Sequence, residues 1–113
     1  MSFREFVRQY RSLAKKGWRR KNCDTQICLK RPGVKRNART NFSFSPLSAV
    51  YFELTGRRTA FGENGTHSRK MKMNWETVCT IYNVSAYPNR DHPICNWKWG
   101  LKERLMKMIP VAK

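Results

Sequence analysis

The sequence predicts a mainly α, single-domain protein of about four helices, with one irregular basic segment and one small β-hairpin. Three observations carry that prediction. Apolar residues recur at three- and four-residue steps in several separate stretches. Serine, asparagine, proline and glycine bracket those stretches at helix-end positions. With 113 residues, 40% hydrophobic and 12% aromatic, the chain has enough apolar side chain for one core. Residues 1–113 therefore divide into an amphipathic helix (1–16), a basic irregular segment (17–41) and a helical core (42–113) that includes a hairpin at 57–73.

The first helix is the most strongly marked. Ser2 and Glu5 have capping-box spacing. Phe3, Phe6, Val7, Tyr10, Leu13 and Ala14 form one apolar stripe, while Arg4, Arg8, Arg11 and Lys15 fall outside it. One helix thus has a burying face and a cationic face, and Gly17 supplies a left-handed stop. From Trp18 to Asn41 the periodicity vanishes, Pro32-Gly33 signals a turn, and a short strand fits Gln26–Lys30.

A second helix is expected from Pro46 to about Thr55, with Ser45 as N-cap and Gly56 as C-cap; its near-uniform apolarity argues for a core position. Asn64-Gly65 is a strong hairpin turn signal, which places Arg57, Arg58, Arg69, Lys70 and Lys72 on two facing arms. A third helix is expected at Trp75–Tyr82, capped by Asn74, with Trp75, Val78, Cys79 and Tyr82 inward and Asn83 as its stop. A fourth begins near Pro93, with Asp91 or His92 at its start, and ends before Pro110. Ile94, Trp97, Leu101, Leu105 and Met108 make its stripe, and Gly100 sits in its middle.

Charge directs the functional reading. The chain carries 24 Lys and Arg against 7 acids, a net charge of +17. Residues 1–40 hold 13 of the basic residues and 2 of the acids. So concentrated a surplus repels itself, and an anionic partner relieves it. The expected function is that of a small nucleic-acid-binding protein, DNA or RNA, acting as a regulator or an RNA- or ribosome-associated factor. Its candidate phosphate contacts are Arg8, Arg11, Lys15, Lys16, Arg19, Arg20, Lys21, Lys30, Arg31, Lys35, Arg36, Arg39, Arg57 and Arg58. Trp18, set among these cations, is either a core residue or a stacking platform for an unpaired base. The alternative is a protein-interaction module or inhibitor that docks on an acidic or nucleic-acid-binding surface of a larger complex, with Trp97 or Trp99 as anchor.

Other chemistries have weaker signals. Cys23 and Cys28, with His92 and Cys95, supply ligands for one structural zinc; Cys79 is an equal fourth ligand, and buried free thiols are the competing reading. The stretch Trp75–Arg90 has the small, turn and apolar residues of a helix-turn-helix at Cys79, Asn83 and Val84, but Pro88 and Pro93 interrupt the place of a recognition helix. Two histidines, seven scattered acids and no phosphate-cradling glycine loop give no basis for an enzyme. The longest apolar run, Ala49–Phe52, excludes a membrane span. The N-terminus lacks the apolar core of a secretory signal, although its arginine-rich amphipathic pattern also suits a transit peptide. A cytoplasmic or other reducing compartment is expected, against the alternative of a cationic secreted disulfide protein suggested by four cysteines and three Asn-X-Ser/Thr triplets.

Overall fold

The computed structural model describes residues 1–21, 26–33, 44–58, 66–86 and 99–112. Among them are five helices and one two-stranded antiparallel sheet: α1 (Phe3–Lys15), β1 (Arg19–Arg20), β2 (Leu29–Lys30), α2 (Pro46–Thr55), α3 (Thr66–Lys70), α4 (Trp75–Ala86) and α5 (Trp99–Met108). The radius of gyration of 13.4 Å is that of one folded body, for which about 13 Å is expected at this length.

Local chemistry fixes α1 at both ends. Ser2 Oγ accepts from the Glu5 amide at 3.1 Å. The reciprocal half of the capping box is replaced, because the Glu5 carboxylate turns to Arg8 and Gln9 instead. At the other end the Gly17 amide donates to Ala14 O at 3.2 Å and the Trp18 amide to Leu13 O at 3.0 Å, which is a Schellman closure. Gly17 sits at φ +99°, and a Cβ there would lie 3.0 Å from the Pro32 side chain. That closure turns the chain so that Trp18 drops into the core.

Phe6, Tyr10 and Leu13 bury the stripe of α1, with Val7 and Ala14 packed alongside. Phe3 departs from expectation: it is 37% exposed, although Met1 just before it packs against the core. Trp18 is fully buried, which settles it as a core residue and removes it as a base-stacking platform. Its ring meets Phe44 edge-on at 5.1 Å and Phe52 at 6.2 Å, and its Nε1 donates to Glu53 Oε1 at 2.5 Å.

Among the described residues after α1, the short strand expected at Gln26–Lys30 is present in part as β2, and β1 pairs with it. Arg19 pairs with Lys30 and Arg20 with Leu29. Leu29 also pairs with Phe44 on one side, and Arg20 with Val111 on the other. The small sheet therefore ties the basic segment to the start of α2 and to the chain after α5.

Helix α2 runs as predicted. Ser45 accepts from the Ser48 amide, Pro46 is first, and Gly56 closes the helix at φ +75°. It packs against α1, α3 and α4, so apolar residues on most of its surface find partners. The predicted hairpin at 57–73 is not formed: Thr66–Lys70 is a helix, and the Gly62–Gly65 turn signal lies outside the described residues. Helix α4 begins at Asn74, whose Oδ1 accepts from the Glu76 amide at 2.7 Å. It passes through Asn83 to Ala86, since Val84 and Ser85 are buried and hold the helix on the core. That continuation also removes the helix-turn-helix turn. Trp75 is 47% exposed rather than inward; Val78, Ile81 and Val84 carry the packing.

The fourth predicted helix corresponds to α5. Its expected start at Pro93, with Ile94 and Trp97, lies outside the described residues. Gly100 is the second residue of α5, not its middle, where glycine does less harm. Leu105 and Ile109 are fully buried, and Leu101 and Met108 pack beside them. Among the described residues no helix is long and apolar enough to cross a membrane.

Candidate nucleic-acid interface

The sequence of α1 puts Arg4, Arg8 and Arg11 on the side opposite Phe6, Tyr10 and Leu13, and all three arginines are exposed. Helix α5 lies beside α1 and runs the same way. Leu101 shares a depression with Phe3, Tyr10 Oη donates to Leu105 O at 3.0 Å, and Arg20 Nε donates to Ile109 O at 3.3 Å. This pairing brings Arg104 of α5 to the cationic face of α1. Phe3, Arg4, Val7, Arg8, Arg11 and Arg104 line one groove of about 400 Å³.

Only one of the four guanidiniums has an ion-pair partner among the described residues. Arg8 pairs with Glu5 one turn earlier. Hydrogen bonds from Arg8, and then Gln9, hold the Glu5 carboxyl below its usual range, and the same pair raises Arg8. Arg4, Arg11 and Arg104 have no carboxylate within salt-bridge distance among the described residues, which leave the groove a positive field over a partly apolar floor.

A second cationic hollow lies where α1 ends. Arg19, Lys30 and Arg31, with Gly17, Pro32 and Gly33, line about 270 Å³ there. Its arginines are already engaged. Arg19 Nη1 donates at 3.1 Å to Ala14 O, a carbonyl at the negative end of α1, and at 2.7 Å to Trp18 O just beyond the helix. Arg31 lies 5.1 Å from the centre of the Phe52 ring.

The remaining predicted contacts divide by position. Lys15 and Lys16 are exposed at the end of α1, with Lys16 Nζ 3.6 Å from Glu53. Arg20 is half-buried and bonded to Ile109 O; Lys21 is half-buried, its amide donating to Cys28 O. Arg57 is exposed, while Arg58 lies 4.3 Å from the centre of the Phe44 ring. Lys35, Arg36 and Arg39 lie outside the described residues. With Arg69 and Lys70 on α3, the pair of facing basic arms expected at 57–73 does not exist in that form.

Of the proposed zinc ligands, Cys28 is half-buried, and Cys23, His92 and Cys95 lie outside the described residues. Cys79, the alternative ligand, is a half-buried thiol on α4. Trp97 also lies outside the described residues.

Three polar or basic residues carry positions that their sequence context does not announce. Arg104 completes the groove, yet only the pairing of α1 with α5 puts it there. Lys102 and His67 are each 2% exposed. Neither His67 nitrogen has a hydrogen-bond partner among the described residues, and burial lowers its pKa. A histidine in a polar pentapeptide, Thr66–Lys70, gives no sequence signal of burial. No protein-family model, curated protein or solved structure matches this chain, so what the groove does has to be read from its own residues.

Proposed function

We propose that this protein binds nucleic acid through the arginine groove between α1 and α5. One observation supports this above the rest: two helices distant in sequence bring Arg4, Arg8, Arg11 and Arg104 to one concave surface, and three of the four have no carboxylate partner among the described residues. Gathering like charge costs folding energy unless an anion neutralises it, and phosphates along a strand match a row of guanidiniums. Lys15, Lys16 and Lys30 extend the positive surface past the end of α1.

The test is equilibrium binding of labelled oligonucleotides across a salt series. Alanine at Arg4, Arg11 and Arg104 together should lower affinity at every salt concentration. It should also flatten the slope of log affinity against log salt by about 2 to 3, one phosphate contact being worth about 0.7 to 0.9. Circular dichroism should stay unchanged, because these side chains are exposed. Unaltered affinity and slope in the triple variant would refute the assignment. Arg19 and Arg20 make poor test positions, since each bonds backbone carbonyls that the fold needs.

A protein partner is the second reading, favoured by the exposure of Trp75 at 47% and Leu54 at 48%. A complex recovered from the host that survives nuclease treatment and is lost with Trp75→Ala would support that reading instead.

A further inference from the structure

Resting on the nucleic-acid reading above, we infer that the groove takes an unpaired strand in preference to a duplex, with one base against Phe3 and Val7 and its phosphates on the arginines. The argument is geometric. A lone helix about 10–12 Å across fits the major groove of a duplex, which is about 12 Å wide. Helix α1 is not alone: α5 lies along it, joined through Tyr10 and Leu105. Two helices about 8–10 Å apart present a front of roughly 20 Å, too broad to enter either groove of a duplex. Duplex DNA or RNA would therefore touch the rim through phosphates alone.

The recess itself has a different match. Its volume of about 400 Å³ falls within the roughly 300–1,000 Å³ of clefts that hold small organic ligands, far too small for a duplex. Its lining combines four guanidiniums with the face of Phe3, which is 37% exposed, and with the half-buried Val7. A single nucleotide of an unpaired strand presents both matching chemistries, an anionic phosphate and a flat apolar base, whereas paired bases are stacked away from such a surface. The exposure of Phe3, unexplained by packing, then has a use. Phe3 also borders a second depression, lined by Glu76, Thr77, Thr80 and Leu101, whose carboxylate repels phosphate and so keeps the strand on the arginine side of Phe3.

The experiment compares a labelled 12-nucleotide single strand with the blunt duplex of the same sequence, both in low salt. The expected result is at least about tenfold tighter binding of the single strand. Phe3→Ala should weaken the single-strand complex by about five- to tenfold, the lower end of what one stacked base is worth, and leave duplex binding within twofold. Phe3→Trp should restore single-strand affinity, which a merely structural role of Phe3 would not predict. Arg11→Ala should weaken both complexes, because both use phosphate. Equal affinity for the two forms, or equal losses from Phe3→Ala on both, would overturn the inference while leaving nucleic-acid binding intact. Failure of both probes to bind in low salt would overturn the nucleic-acid reading as well.

Discussion

Replacing His67 by phenylalanine should stabilise the protein and remove part of its sensitivity to acid. His67 is 2% exposed, and neither Nδ1 nor Nε2 has a hydrogen-bond partner among the described residues. Its ring stands edge-on to Tyr51, with centroids 5.7 Å apart and planes at 82°, a contact that phenylalanine can keep. An unsatisfied buried polar group costs about 1–3 kcal/mol, so the neutral imidazole is already a burden at pH 8. Protonation makes it worse. Burial lowers the folded-state pKa below the ordinary 6.5, so in mild acid the unfolded chain takes up a proton that the folded chain refuses.

The sign follows directly. Above pH 6.5 both states are neutral at His67 and pH has no effect through it. Below pH 6.5 the unfolded state binds more protons, and stability falls by up to about 1.4 kcal/mol per pH unit until the folded pKa is reached. Thermal unfolding followed by circular dichroism at pH 5, 6, 7 and 8 measures this. Each kcal/mol corresponds to roughly 4–8 °C for a domain of about this size. The difference in melting temperature between His67→Phe and the parent should widen from pH 7 to pH 5, by several degrees. Every group other than His67 is common to both proteins and cancels. Parallel curves between pH 5 and 7 would refute the claim that this imidazole is buried and unpaired.

Two further substitutions probe the turn that makes the fold. Gly17→Ala should cost at least about 1–2 kcal/mol, because φ +99° strains any L side chain and the new methyl would press on Pro32; denaturant melting reads this as a lower midpoint with unchanged slope. Trp18→Phe should destabilise by about 2–4 kcal/mol, since it leaves a cavity beside Phe44 and Phe52 and strips Glu53 of the indole donor. It should leave oligonucleotide affinity per folded molecule unchanged, which urea melting and a salt titration together can check.

The elements legible in the sequence are those whose ends are marked by local chemistry. Helix α2 has Ser45, Pro46 and Gly56 in the positions where capping acts over three or four residues, and α1 has Ser2 and Gly17. Where local signals and packing disagree, packing wins. Asn83 is a good left-handed stop, yet α4 runs through it: Ser85 Oγ donates to Ile81 O within the core, and Ser85 O accepts the Ile27 amide. Helix α3 is hidden for the same reason. Thr66–Lys70 has no apolar period, and what seats it is a single buried imidazole against α2. The small sheet is half legible: a strand is expected within Gln26–Lys30, where β2 forms, whereas its partner β1 has only two residues, too few to show alternation.

The cationic surface was half legible for a different physical reason. Periodicity identifies Arg4, Arg8 and Arg11 as one face of one helix, but no local rule states which helix will lie beside it. Only packing brings in Arg104. Counting charge also treats all arginines alike, and the fold does not. Arg19 and Arg20 are spent on carbonyl oxygens at helix and chain ends, while Arg31 and Arg58 lie over core rings. These four stabilise the protein and are poorly placed to leave it for a ligand. Arg4, Arg11 and Arg104 have no carboxylate competitor among the described residues, so a phosphate binding them displaces only water and counterions. The 24 Lys and Arg thus include cations that hold the fold and cations left exposed to solvent. On helix α1 itself, Phe6, Tyr10 and Leu13 anchor the inward side, so the outward Arg4, Arg8 and Arg11 can be replaced without disturbing the core.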